Sequence, residues 1–160
     1  MTSRVLAIAV ASGKAGYVLL QGQQLLDWGI AIKAVKSGSD FVGYVQSLIN
    51  DLQPDVVVTE KITPACRKGR NTKSLIQSIT ELASHNPVLD VTIERPRLFQ
   101  TKYDEANYLA GKHPEVMGYA PKRKRRLFDF EPRGMVLFEA LALAEAVING
   151  PPDQLAAAMG

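Results

Sequence analysis

Three features of the sequence predict an α/β fold, a mixed five-stranded sheet flanked by helices. Residues 4–33 read as three strands in succession, joined by tight turns, which makes a three-stranded antiparallel meander. A β-branched run, Asp55–Glu60 (DVVVTE), then follows an amphipathic helix, as a parallel strand covered on both faces would. From there strand and helix patterns alternate, giving the order β-β-β-α-β-α-β-α-α and a sheet with helices on both faces.

The first strand, within Arg4–Leu20 (RVLAIAVASGKAGYVLL), is apolar enough to sit at the centre of the sheet. Ser12-Gly13-Lys14 turns it back into a second apolar strand from Tyr17, and Gln21-Gly22-Gln23 turns again into Leu25–Lys33. That third strand mixes polar and apolar residues, as an edge or half-covered strand does. Ser37-Gly38-Ser39-Asp40 supplies a helix cap. Phe41, Val45, Leu48, Ile49 and Leu52 follow at helical spacing until Gln53-Pro54-Asp55 stops the helix.

The strand Asp55–Glu60 ends in a carboxylate where the chain leaves the sheet. A loop with Pro64, Arg67, Lys68 and Arg70 leads to a helix over about Asn71–Ser84, with Leu75, Ile76, Ile79 and Leu82 inward. Val88–Glu94 alternates as a fifth strand, Pro96 and Arg97 end it, and Lys102–Ala110 reads as a short helix. Gly111–Arg126 is irregular and ends in Lys122-Arg123-Lys124-Arg125-Arg126. Pro132 stands where a first helical position would be. Met135–Ile148 (MVLFEALALAEAVI) is so apolar that it must be buried on most of its circumference. Residues 1–150 are expected to form one domain and 151–160 a frayed Ala-rich tail.

At 160 residues with a net charge of +3, overall charge does not argue for nucleic acid; its distribution matters more. The single cysteine, Cys66, excludes an internal disulfide framework and a cysteine-rich zinc site. No apolar run approaches the roughly 20 residues that span a bilayer, and the N-terminal run lacks a signal-peptide pattern. A soluble, cytoplasmic chain is expected.

Glu139 is a charge inside an apolar helix, costly unless paired or metal-bound; Arg133 or Lys14 would be candidate partners. Glu60 alone reads as a solvated strand-end acid. Arg67, Lys68 and Arg70 follow it directly and are candidates for phosphate contacts. The run Lys122, Arg123, Lys124, Arg125 and Arg126 has Tyr119, Phe128 and Phe130 nearby as stacking faces for unpaired bases. His85 and His113 have no spaced partners and read as structural. Cys66, though beside basic residues, has no nearby histidine to make it a nucleophile.

The element order is that of the ribonuclease H-like architecture. The segments RVLAIAVASGKAGYVLL, PDVVVTE and FEPRGMVLFEALALAEAV resemble the corresponding parts of RuvC-type Holliday junction resolvases. Ser12 and Gly16-Tyr17 fit that family's first strand, Glu60 its strand-four acid, and Glu139-Ala140-Leu141-Ala142-Leu143-Ala144 its late-helix pattern with Glu for Asp. Ala9-Val10 stands in place of its Asp-Pro, and Val136 where many members carry another acid. In a subset with acids nearer the helix start, Glu131 or Asp129 would substitute.

The resemblance implies a metal-dependent endonuclease acting on branched DNA such as Holliday junctions. Mg²⁺ or Mn²⁺ would lie on Glu60 and Glu139, with Glu131 a further catalytic candidate, and the protein would be a homodimer. Hard cations want several oxygen ligands, so the missing strand-one acid implies weak metal binding and impaired cleavage. The companion changes Val10 and Val136 suit a natural divergent member better than one engineered knockout. The alternative reading is a non-catalytic nucleic-acid-binding protein on the same fold.

Overall fold

The computed structural model of the chain describes residues 2–95, 99–121 and 132–149. The expected Glu131, Asp129, the basic run at 122–126 and the tail at 151–160 lie outside the described residues. Five strands form one sheet: β1 (Arg4–Ala11), β2 (Lys14–Gln21), β3 (Gln24–Ala31), β4 (Val56–Glu60) and β5 (Leu89–Ile93). The helices are α1 (Gly38–Leu52), α2 (Arg70–Ser84), α3 (Lys102–Lys112) and α4 (Met135–Asn149). The element order is as expected. Two short 3₁₀ turns, Lys33–Lys36 and Pro114–Tyr119, are additions that no periodicity announced.

The strand order is β3-β2-β1-β4-β5, so β1 is central and β3 is an edge. β1–β2 and β2–β3 pair antiparallel through two-residue turns, where Gly13 (φ 73°) and Gly22 (φ 61°) take the left-handed backbone that such turns require. β4 pairs in parallel with both β1 and β5. The carboxyl ends of β1, β4 and β5 therefore open on one edge of the sheet, where crevices form in α/β folds.

Side chains alternate across a strand, and the core divides accordingly. Leu6, Ile8, Val10 and Val57 pack with Phe41, Val45, Leu75 and Ile79 of α1 and α2. Val5, Ala7, Ala9, Val56 and Val58 pack against α4 with Leu109 of α3. α4 is buried nearly all round, as its composition requires. Its first turn lies directly on β2: a Cβ on Gly16 would come within 2.8 Å of the Val136 carbonyl oxygen. Gly16 is opposite Ala9 in the β1–β2 register, so α4 closes down on the sheet at the level of Ala9. The register thus positions the site.

α4 begins at Met135, where its apolar run is expected to begin and three residues after Pro132. The Pro132 carbonyl accepts a hydrogen bond from the Met135 amide at 3.1 Å, so the proline belongs to the turn that leads in. α1 starts earlier than its apolar stripe because Ser37 caps it, its hydroxyl accepting from the Asp40 amide at 3.1 Å.

Candidate functional site

Glu60 follows Val56 and Val58 by two-residue steps, so strand alternation turns it to the α4 face. The β1–β4 register pairs Ala7 with Val58, and two further residues bring Ala9 level with Glu60. Glu139 lies one turn into α4, on the side packed over these strands. Folding thus brings together the acids at 60 and 139 and the alanine at 9. Arg95 enters the same edge from just beyond β5.

Lys68 links these elements. Its ammonium lies 3.2 Å from Glu60 Oε2 and 3.1 Å from Glu139 Oε2, and it donates to the Val10 carbonyl at 2.5 Å. Of the three oxygens it meets, the Val10 carbonyl of β1 and the Glu139 carboxylate of α4 accept its hydrogen bonds, and the Glu60 carboxylate of β4 pairs with its charge. The other oxygen of Glu139 faces Arg95 Nη1 at 3.4 Å and Lys102 Nζ at 3.2 Å. Arg95 Nη2 also binds Glu105 Oε1 of α3 at 2.6 Å. Among the described residues the partners of Glu139 are therefore Lys68, Arg95 and Lys102, and not the Arg133 or Lys14 of the sequence expectation. The loop after β4 and the segment after β5 reach the site; the residues adjoining α4 and the β1 turn do not supply the pairing.

The electrostatics follow. Burial pushes the Glu139 carboxyl up, but Lys68, Arg95 and Lys102 together outweigh it and hold that carboxyl below the usual carboxylate range. Burial works against the Arg95 guanidinium too, and Glu139 and Glu105 outweigh it, raising its affinity for the proton. Glu139 is ionised and saturated with cations.

A divalent ion needs several free oxygen ligands. Glu60 and Glu139 both turn an oxygen to the Lys68 ammonium, the β1 carbonyl that could join them is bound by it as well, and position 9 offers only a methyl group. Among the described residues no group of three or more His, Cys, Asp or Glu side chains is placed to hold a metal. As arranged, the donor set does not fit Mg²⁺ or Mn²⁺, because a tethered cation already bridges the two acids.

Of the other sequence candidates, Arg67 and Arg70 are exposed on the β4–α2 connection, Arg70 at the first position of α2. Lys68 points inward, into its ion pairs with Glu60 and Glu139. Around these residues opens a cavity of about 450 Å³, reached by Lys61, Arg67, Phe99 and Lys102 and floored by Glu60 and Glu139. The sequence reading missed Arg95 and Lys102. The one signal was their basic character just after the fifth strand and at the start of the next helix.

It also missed Glu145. This second acid in α4 receives His113 Nε2 at 2.6 Å, Lys112 Nζ at 2.7 Å and the Asn149 side-chain amide. His113 is 2% exposed and has the structural role expected of it, tying the end of α3 to α4.

No protein-family model matches the chain, and no curated protein matches it. Solved structures do. The chain is similar to Thermus thermophilus RuvC in complex with a Holliday junction substrate, with a TM-score of 0.61, 14% identity, and 89% of this chain and 90% of that one covered. The fold is that of RuvC. The fowlpox virus resolvase in complex with Holliday junction DNA gives a TM-score of 0.57 at 13% identity, over 90% of this chain and 98% of that one. The yeast mitochondrial Holliday junction resolvase gives 0.50 at 11% identity, over 92% and 78%. The mixed five-stranded sheet flanked by helices is thus the ribonuclease H-like sheet of RuvC, as the sequence predicts. Among the described residues no helix is long and apolar enough to cross a membrane.

Proposed function

We propose that this protein binds branched or partly unpaired DNA on the RuvC fold without cutting it by the metal-ion route. The observation that carries this reading is Lys68, whose ammonium bridges Glu60 and Glu139 beside Ala9. Phosphodiester hydrolysis of the metal-dependent kind needs ions that activate water and stabilise the leaving oxygen. An ammonium supplies charge but cannot generate that nucleophile. The lack of an acid at position 9 and the cation at position 68 both act against a metal centre here.

DNA binding is supported by the similarity to resolvases solved on junction DNA and by basic residues around the strand ends, Lys61, Arg67 and Arg70 among them. The run Lys122, Arg123, Lys124, Arg125 and Arg126 would add phosphate contacts, which position a duplex without reading its sequence. A homodimer suits a four-way junction, which presents two symmetric strands. The single cysteine suits a reducing compartment such as the cytoplasm.

The competing reading is the metal-dependent endonuclease of the resemblance, with Glu60, Glu139 and Glu131 as its acids and Mg²⁺ or Mn²⁺ as its cofactor. A binding and cleavage assay separates the two, with four-way junctions, flaps and duplex in Mg²⁺, Mn²⁺ or EDTA. The expected result is salt-sensitive binding of branched DNA and no cleavage in any metal. Metal-dependent cutting that disappears in Glu60→Gln would restore the nuclease reading, and absence of DNA binding would defeat both.

A further inference from the structure

The cavity beside the bridged acids has walls of unlike chemistry. Phe99 forms an aromatic wall, and its ring centroid lies 5.2 Å from that of Tyr108 at an interplanar angle of 40°. Tyr108, 55% exposed, backs Phe99 from outside the cavity lining. On another side Lys61 and Arg67 line the cavity, and no carboxylate among the described residues pairs with either. Of the carboxylates that line it, Glu60 and Glu139 meet Lys68, Glu139 also meets Arg95 and Lys102, and Glu105 meets Arg95; Glu94 has no cation against it among the described residues, but the basic side chains of the lining still outnumber its acids. The volume of about 450 Å³ is in the range of small-ligand sites.

A flat π-face and two uncommitted cations within one cavity match a ligand that is both aromatic and anionic. We infer that this cavity takes a single unpaired nucleotide of a DNA strand, its base against Phe99 and its phosphate on Arg67 and Lys61. The inference rests on the DNA-binding reading above and specifies what that site accepts. A paired base cannot reach the ring, because its faces are covered by neighbours in the stack. Selection would therefore favour gaps, flaps and junction centres over continuous duplex, without a preference among bases.

The test uses the full chain and oligonucleotides carrying one 2-aminopurine, whose fluorescence falls on stacking. Single strand, gapped duplex, continuous duplex and free 2-aminopurine mononucleotide are titrated at low salt. Quenching is expected with single strand and gapped duplex, and not with continuous duplex. Phe99→Ala should weaken single-strand binding by roughly 5- to 100-fold and abolish the quenching, while Phe99→Trp keeps both. Arg67→Ala should lower the salt dependence by about one counterion. Circular dichroism melting checks that each variant is folded.

Binding without quenching, or equal affinity of Phe99→Ala and the unsubstituted chain, overturns the inference while leaving DNA binding intact. A free mononucleotide that binds as tightly as the strand overturns it in favour of a soluble nucleotide. Loss of all DNA binding in the unsubstituted chain defeats the functional reading itself.

Discussion

Lys68 and Glu139 are 71 positions apart in the chain and meet at 3.1 Å where three parallel strands end. Glu139 is the more buried of the two, with 5% of its side chain exposed against 19% for Lys68. Replacing Lys68 by Ala removes one of three cations from a buried carboxylate and leaves a strand-end carbonyl without its donor. The expected loss is about 1–3 kcal/mol of unfolding free energy, the usual worth of hydrogen bonds to charged groups. Urea denaturation at neutral pH measures it. A change below about 0.5 kcal/mol would mean that solvent serves Glu139 as well as Lys68 does.

Acid should act on the same cluster. The Glu139 carboxyl is held below its ordinary value, so its contribution is fully present above the unfolded-state pKa of about 4.3 and is lost as pH falls through the folded-state value. Glu139→Gln lacks that contribution at every pH. The stability gap between the two chains should be widest near neutrality and should shrink below about pH 4. Denaturant midpoints at several pH values give the gap directly, and a gap constant from neutrality to pH 3 would mean that Glu139 titrates alike folded and unfolded.

The metal question can be put without catalysis. Ala9→Asp combined with Lys68→Ser removes the tethered cation and adds a third carboxylate at the level of Glu60. This double variant should melt about 5–10 °C higher with Mg²⁺ at a hundred times its dissociation constant than in EDTA. The unsubstituted chain should melt at one temperature in both. An equal Mg²⁺-dependent rise in the unsubstituted chain would show that Lys68 yields to the ion. No rise in the folded double variant would show that position 9 does not complete the ligand set.

Gly16 is a test of how the site is assembled. Gly16→Ala places a methyl group 2.8 Å from the Val136 carbonyl oxygen, against backbone rather than a flexible side chain. α4 must lift from the sheet, at a cost of about 1–3 kcal/mol as for other overpacked positions. Because Glu139 rides on the same helix, DNA binding in the strand-end cavity should weaken along with stability. Calorimetric melting and the binding titration read the two effects, and an unchanged melting temperature would mean that α4 seats elsewhere in solution.

Much of the fold was legible because its signals are local. The two turns at Gly13 and Gly22, the β-branched run Val56–Val58 and the apolar stripe from Phe41 each depend on neighbouring residues only. So did the conspicuous charge of Glu139 in its apolar helix, which announced that something must pair with it. Glu145 carried the same signal in the same helix, but its partner His113 has no sequence spacing that relates the two.

By itself, then, the sequence determined the elements, their order, the RuvC-type sheet and the absence of an acid at position 9. Which cations Glu139 meets was decided only by tertiary structure. Lys68, Arg95 and Lys102 arrive from a loop, a strand end and a helix start, brought together by parallel strand pairing and by α4 closing on Gly16. Periodicity records which face of an element is buried; it does not record which long, flexible basic side chain will reach across a sheet edge to a buried charge.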